Sequence, residues 1–114
     1  MTIHKMVRRA GEFSLKDLRH IYEKPTELEL DASAMSGIDA ARQTVTDLID
    51  RGDTAYGINT GFGLMANTRI AAEDVEKLQE NLVLSHATGT GAPLSDGVVR
   101  LVLAMKATSL AQGF

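Results

Sequence analysis

The residues best suited to chemistry lie in one glycine-rich segment, residues 56–63, which reads YGINTGFG. Gly57, Gly61 and Gly63 give its backbone access to conformations that other residues reach only at a cost. A loop of this kind can present the phenol of Tyr56 to a ligand. The alternative is a surface loop with a half-buried tyrosine, and these residues alone leave both interpretations open.

Residues 61–66 also satisfy G-x-G-x-x-[GA], the pattern of a dinucleotide-binding site. That pattern needs an apolar strand before it and a helix that opens at its third glycine. Here residues 53–56 read DTAY, and the next predicted helix begins only near Ala72. The sequence therefore favours a loop over about residues 54–66 rather than a nucleotide site.

A second candidate group lies at the end of an apolar helix, where Ser85 and His86 are adjacent. A lone histidine in that position is more often a capping or core residue than a ligand. Asn59 in the loop and Gln79 in the helix could donate hydrogen bonds, although amides are common in loops and on exposed helix faces. Residue type alone does not choose between these roles.

The bulk composition excludes several classes of protein. Cysteine is absent from the 114 residues, which removes disulfides, thiolate nucleophiles and thiolate metal ligands. His4 and His20 have no companion spacing and no H-E-x-x-H occurs, so we predict no metal site. Twelve basic against fifteen acidic residues argue against a nucleic-acid footprint, and no apolar run approaches the ~20 residues that span a bilayer. We expect one domain over residues 1–114, in a cytoplasmic protein.

Apolar residues recur mostly at helical spacing, which predicts a mainly α fold with a short N-terminal β element. Ser14 and Asp17 form a capping-box pair at the start of the first helix. Leu28 and Leu30 alternate with acidic residues, as in a short strand, and this strand could pair with the β-compatible opening at residues 2–7. Three further helices are predicted from Ser36 to an exit at Gly52, from near Ala72 to Gly89, and from near Ser95.

The last predicted helix is apolar on more than one side. It carries Val98, Val99, Leu101, Val102, Leu103 and Met105. We expect such a helix to be covered on most faces, and a chain of 114 residues offers few elements to cover it. Together with the abrupt end at Phe114, this predicts a fragment, or a subunit whose core is completed by another chain.

Several segments occur in the order seen in one enzyme family. They are residues 56–63 (YGINTGFG), residues 78–82 (LQENL), Ser85-His86, residues 89–94 (GTGAPL) and Val99-Arg100. Each is weak alone, but the ordered set resembles the histidine ammonia-lyases of the aromatic amino acid ammonia-lyase family, over about residues 13–114. The resemblance implies the N-terminal part of the ammonia-lyase fold. For the full-length enzyme it implies elimination of ammonia from L-histidine to give trans-urocanate.

The resemblance also implies roles for individual residues. Tyr56 matches the base that removes the substrate's β-proton, and Asn59, Ser85 and His86 are the expected substrate-binding residues. The tyrosine-specific branch has His-Leu, and the phenylalanine-specific branch has Phe-Leu, where this chain has Ser85-His86. A polar pair suits an imidazole, whose two nitrogens need hydrogen-bonding partners.

The family's electrophile is 4-methylidene-imidazol-5-one (MIO), which forms from an internal Ala-Ser-Gly. This chain has ASA at residues 32–34 and MSG at residues 35–37, but no Ala-Ser-Gly. We therefore expect an N-terminal fragment that lacks the MIO-forming segment, is inactive alone and comes from a homotetramer. The alternative is a small non-catalytic helical interaction module derived from the family. An in-frame Ala-Ser-Gly in the codons after Phe114 would favour the enzyme, and a natural stop codon the module.

Overall fold

The computed structural model describes residues 3–114 and is mainly helical, as the sequence predicts. Within these residues the elements are β1 (His4–Arg8), α1 (Leu15–Glu23), β2 (Thr26–Leu30), α2 (Ala34–Arg51), α3 (Val75–His86) and α4 (Asp96–Leu110). Two 3-10 turns, Gly63–Met65 and Ala72–Asp74, lie between α2 and α3. Thr2, which the predicted opening strand includes, lies outside the described residues. The chain divides into two compact units, one formed by the residues up to Ala41 with Ala92–Phe114, the other by Arg42–Gly91.

The two strands form a parallel pair in which Met6 of β1 lies opposite Leu28 of β2. The pairing that the sequence left open is therefore confirmed. Parallel strands cannot be joined by a tight turn and need a crossover connection. Here α1 is that connection, since it lies between β1 and β2 in the chain.

The predicted capping box at the start of α1 is confirmed. The Ser14 hydroxyl accepts a hydrogen bond from the Asp17 backbone N–H at 3.1 Å, and the Asp17 carboxylate accepts one from the Ser14 N–H at 3.0 Å. The Arg8 guanidinium of β1 forms an ion pair with the same carboxylate. The hydrogen bond from Arg8, followed by those from Ser14, holds the pKa of Asp17 well below its usual range.

Helices α1 and α4 pack against each other, and we call them the helix pair. Ile21 of α1 and Ala104 of α4 are buried together with Met6 of β1. Half-buried apolar residues complete this cluster, and they are Phe13, Leu28 and Leu101. Because aromatics are scarce, the core is built from small and aliphatic side chains.

Two residues of α4 bring the helix pair close together. Gly97 leaves room for the backbone of α1, because a Cβ at this position would lie 2.7 Å from the carbonyl oxygen of Tyr22. Arg100 donates hydrogen bonds from Nε to the carbonyl of Ile21 at 2.8 Å and from Nη2 to that of Tyr22 at 2.6 Å. These are among the last carbonyls of α1, which lack partners within their own helix. Arg100 of α4 therefore provides hydrogen-bonding partners for carbonyls at the C-terminal end of α1.

The remaining apolar faces of α4 are exposed. More than half of the surface is accessible on Val102, Leu103, Met105 and Leu110. The sequence predicts that other elements pack over most faces of this helix. Within residues 3–114 they pack over one side only. Every helix among residues 3–114 is too short or too polar to span a bilayer.

Helix boundaries differ from the predicted ones by a few residues. Helix α2 begins at Ala34 rather than near Ser36, because the Asp31 carboxylate accepts a hydrogen bond from the Ser33 N–H at 2.9 Å and starts the turn earlier. Its predicted exit at Gly52 is confirmed, with φ at +76°. Helix α3 ends at His86 rather than at Gly89, since the backbone already leaves helical geometry at Ala87, with ψ at 33°.

Candidate active site

The predicted loop around Tyr56 lies in the unit Arg42–Gly91, and we call residues 53–70 the tyrosine loop. The Tyr56 side chain is 66% exposed, and its ring meets the Phe62 ring edge-on, with 5.9 Å between the centroids. Gly57 has φ at +81°, a left-handed conformation that glycine adopts without a steric penalty. The chain therefore turns immediately after Tyr56 and leaves its phenol facing outward.

Backbone hydrogen bonds close the tyrosine loop on itself. The Ile70 N–H donates to the Asn59 carbonyl at 2.9 Å and the Gly61 N–H to the Thr68 carbonyl at 2.9 Å. Thr60 and Arg69 lie opposite each other in an antiparallel bridge. Only glycine fits at position 61, because a Cβ there would lie 2.7 Å from the Met65 carbonyl oxygen. The predicted loop is thus irregular in path but closely tied.

Asn59, expected from the resemblance to bind substrate, is only 2% exposed. Its Oδ1 accepts a hydrogen bond from the Ala55 N–H at 2.9 Å, and its Nδ2 donates one to the Asp53 carbonyl at 2.8 Å. Both partners come just before Tyr56 in the chain. The immediate task of Asn59 in the structure is therefore to hold the backbone that leads into Tyr56.

Gln79 of α3 holds the backbone that follows Tyr56. Its Nε2 donates hydrogen bonds to the carbonyls of Gly57 at 2.8 Å and of Ile58 at 3.2 Å. The sequence marks Gln79 only as an amide that could donate. The signal that singles it out is its spacing of seven residues from His86, which places the two on the same face of a helix.

His86 and Ser85 lie exposed at the C-terminal end of α3. The His86 Nδ1 lies 2.8 Å from the Leu82 carbonyl oxygen. A carbonyl can only accept, so this contact favours the tautomer that carries its proton on Nδ1, in which Nε2 is an acceptor. The Ser85 hydroxyl donates to the same carbonyl at 3.0 Å and lies 3.1 Å from His86 Nδ1. Ser85 and Leu82 together orient the imidazole.

Of the expected site residues, Ser85 and His86 lie on α3, and Tyr56 and Asn59 lie in the tyrosine loop. Gln79 ties the loop that carries Tyr56 to α3, and His86 lies two turns further along the same face, about 10 Å away at 1.5 Å per residue. Tyr56 and Asn59 are neighbours in the loop. No hydrogen bond joins Tyr56 to His86 within residues 3–114, and both side chains are exposed.

No group of three or more His, Asp or Glu side chains in the described part of the chain could hold a metal ion. The structure does bring together His4 and His20, whose ring centroids lie 4.5 Å apart, a contact that the sequence spacing does not suggest. Two imidazoles fall short of the three or four protein ligands typical of zinc sites.

Comparison with known proteins decides the family. The family model described as aromatic amino acid lyase matches residues 13–114. This chain belongs to the aromatic amino acid lyase family. A histidine ammonia-lyase of Salmonella typhimurium is 53% identical over 112 residues, which cover 98% of this chain and 22% of that relative. The chain therefore spans about a fifth of the length of the curated relatives it matches.

Solved structures agree on the fold. Histidine ammonia-lyase from Trypanosoma cruzi superposes with a TM-score of 0.78 at 33% identity, over 96% of this chain and 21% of that one. The ergothioneine-degrading enzyme ergothionase of Treponema denticola superposes with a TM-score of 0.87 at 22% identity, over 96% of this chain and 22% of that one. The second likeness concerns the fold alone. Together they confirm that the chain has the fold of the matching fifth of these lyase-family structures.

Proposed function

We propose that this chain supplies the N-terminal part of a histidine ammonia-lyase, which eliminates ammonia from L-histidine to give trans-urocanate. The observation that carries the proposal is the arrangement along α3. An exposed phenol, Tyr56, is tied to one point of the helix through Gln79, and an exposed imidazole with a free acceptor nitrogen, His86, follows on the same face. The identity of 53% to histidine ammonia-lyase across nearly the whole chain supports the same assignment.

The tautomer of His86 supports an imidazole-bearing substrate. Its Nε2 can accept a hydrogen bond, and the N–H of a histidine side chain can donate one. The ring of phenylalanine has no such donor, so it would leave the acceptor of His86 without a partner once water is excluded. Ser85 acts in the proposal through His86, by fixing the orientation of its ring.

Tyr56 is the proposed base that takes the β-proton from the substrate. Its hydroxyl is on an exposed side chain, and the backbone on both sides of Tyr56 is held by hydrogen bonds. Asn59 bonds to the backbone that precedes Tyr56, and Gln79 bonds to the backbone that follows it. A base must reach the proton within hydrogen-bonding distance, so its geometry must be set before its basicity can count. In this proposal Asn59 contributes to substrate binding through the shape of the loop.

The family depends on MIO, and the serines of this chain do not supply it. The two candidate tripeptides at residues 32–37 are ASA and MSG. Ser33 lies in the turn that Asp31 holds, and Ser36 donates its hydroxyl to the Ser33 carbonyl at 3.3 Å in the first turn of α2. MIO, which captures electrons from the bound substrate, would come from another part of the full-length enzyme. This chain alone is therefore proposed to be inactive.

The proposal extends to the assembly and its location. The exposed apolar faces of α4 suit burial against further chain or another subunit, since exposed apolar surface of this kind costs free energy. We therefore propose that the full-length enzyme is a homo-oligomer, a tetramer as the family resemblance implies, in the cytoplasm.

The test uses the full-length enzyme with L-histidine, L-tyrosine and L-phenylalanine in parallel. We expect ammonia release and the absorbance of urocanate with L-histidine, and none from the 114-residue chain alone. In His86→Phe, which keeps a ring but removes the acceptor, kcat/KM for L-histidine should fall about tenfold or more, the value of roughly one hydrogen bond. His4→Phe is the matched control and should leave it unchanged. A full-length enzyme that prefers L-phenylalanine or L-tyrosine would overturn the proposal.

A further inference from the structure

The amide of Gln79 is fully used by the tyrosine loop. Its Nε2 has two N–H donors, and the structure gives them two acceptors, the carbonyls of Gly57 at 2.8 Å and Ile58 at 3.2 Å. No donor of this group is left for a substrate. Gln79 therefore cannot bind substrate through its amide nitrogen while it holds the loop.

The two amides that surround Tyr56 do different things. Asn59 binds Asp53 and Ala55 within the loop itself, and together with the backbone ladder it determines the shape of the loop. Gln79 is the side chain that ties this shape to α3, the helix that also carries His86. Loss of Asn59 would change the shape of the loop, whereas loss of Gln79 would remove the hydrogen bonds that fix the Gly57 and Ile58 carbonyls to α3.

We infer that Gln79 is a positioning residue, which sets the distance between the phenol of Tyr56 and the imidazole-binding nitrogen of His86. The inference rests on the proposed function, in which Tyr56 is the base and His86 holds the substrate ring. A base displaced by about 1 Å from the reacting proton loses on the order of a hundredfold in rate, even when the substrate is still bound. Gln79 thus acts on turnover through Tyr56.

The experiment is a double-mutant cycle in the full-length lyase, followed by the absorbance of urocanate. Gln79→Met removes both donors at similar size, and we expect kcat to fall on the order of tenfold to a hundredfold, with KM changed much less. In the Tyr56→Phe background the same substitution should cost little further, because residues that act together are not additive.

Gln43→Met is the matched control. Gln43 lies on the exposed surface of α2, and its amide donates to Asp47 of the same helix at 2.7 Å, so its loss should leave kcat unchanged. If Gln79→Met does not assemble, Gln79→Glu enters the same cycle, since it keeps the shape and replaces the donor by an oxygen that the two carbonyls repel.

Each outcome of this cycle either supports or contradicts the positioning role of Gln79. If Tyr56→Phe loses most of its turnover and the Gln79 substitution leaves kcat unchanged, or lowers it by the same factor in both backgrounds, the inference is wrong and the proposed function stands. If Tyr56→Phe keeps full activity, Tyr56 is not the base, and the proposed function fails first. A loss of kcat that disappears in the Tyr56→Phe background supports the positioning role.

Discussion

The helix pair and the tyrosine loop bury opposite kinds of side chain. In the helix pair, the buried apolar side chains are those of Ile21 and Ala104, packed with Met6 of β1. In the tyrosine loop, the residues most completely buried are Asn59 and Thr60, at 2% and 1% exposure. One region excludes water with hydrocarbon, and the other buries groups that must each find a hydrogen-bonding partner.

This difference determines how each region specifies its geometry. Apolar burial is not directional, so the apolar contacts of the helix pair depend on shape, including the close approach at Gly97, while Arg100 adds directional bonds to the carbonyls of α1. A buried amide is stable only when its donors and acceptors are matched, so the pairing of Asn59 with Asp53 and Ala55 selects one backbone path. A region that must present a phenol in one position is therefore built from directional bonds.

The largest expected effect separates chemistry from packing. Tyr56→Phe in the full-length enzyme deletes only an exposed phenolic oxygen, and we predict a loss of about 10²–10⁴-fold in turnover, the usual cost of removing a general base. Tyr22→Phe deletes the same atom in the helix pair and should leave turnover unchanged. The measurement is the steady-state rate of urocanate formation, with thermal unfolding to show that both variants are folded. Equal rates in the two variants would remove the chemical distinction between the regions.

The next effect tests the buried amide of the loop. Asn59→Asp keeps the shape but replaces the donor to the Asp53 carbonyl and buries a charge, so the free energy of unfolding should fall by about 3 kcal/mol. Asn81→Asp, on the exposed surface of α3, is the control and should change it little. Chemical denaturation of the chain measures both. A similar small change at both positions would show that the pairing of Asn59 does not specify the loop.

A smaller effect is expected where the helix pair depends on shape. A Cβ at Gly97 would lie 2.7 Å from the Tyr22 carbonyl, and overpacking of this kind costs about 1–3 kcal/mol. Alanine gains at most about 1 kcal/mol in helix propensity over glycine, so Gly97→Ala should destabilise the chain by up to about 2 kcal/mol by difference. At Gly89 a Cβ meets nothing within 4 Å, and Gly89→Ala should not destabilise. An increase in stability at Gly97 would contradict tight packing there.

The smallest expected effect is a change in stability that occurs only at acidic pH. Arg8, then Ser14, holds the pKa of Asp17 below its usual value, so the ionised carboxylate stabilises the fold. That contribution is fully present above the pKa of about 3.9 of an unfolded aspartate and is lost as the pH falls through the folded value. The difference in stability between the wild type and Asp17→Asn should therefore be constant above about pH 4 and shrink below it. Denaturation curves across this range measure it, and a difference independent of pH would refute the linkage.

The sequence by itself determined the features that depend on neighbours within about one helical turn. The capping box of Ser14 and Asp17 and the exit of α2 at Gly52 follow from residues at most four positions apart, and the glycine-rich loop around Tyr56 follows from the eight residues 56–63. The order of motifs also indicated the family, which the match over residues 13–114 confirms. Tyr56 and His86 could be chosen from this order, although their catalytic roles remain proposals.

The tertiary structure decided which distant groups meet. Gln79 reaches the Gly57 carbonyl 22 positions away, Arg100 reaches Ile21 79 positions away, and β1 pairs with β2 in parallel. Asn59, which by residue type is a surface amide, became a buried one. Periodicity in a sequence records which face of an element is apolar, but a hydrogen bond between two loops or helices depends on where folding brings them. Residue type alone does not say which of the chain's six Asn and Gln side chains will form it.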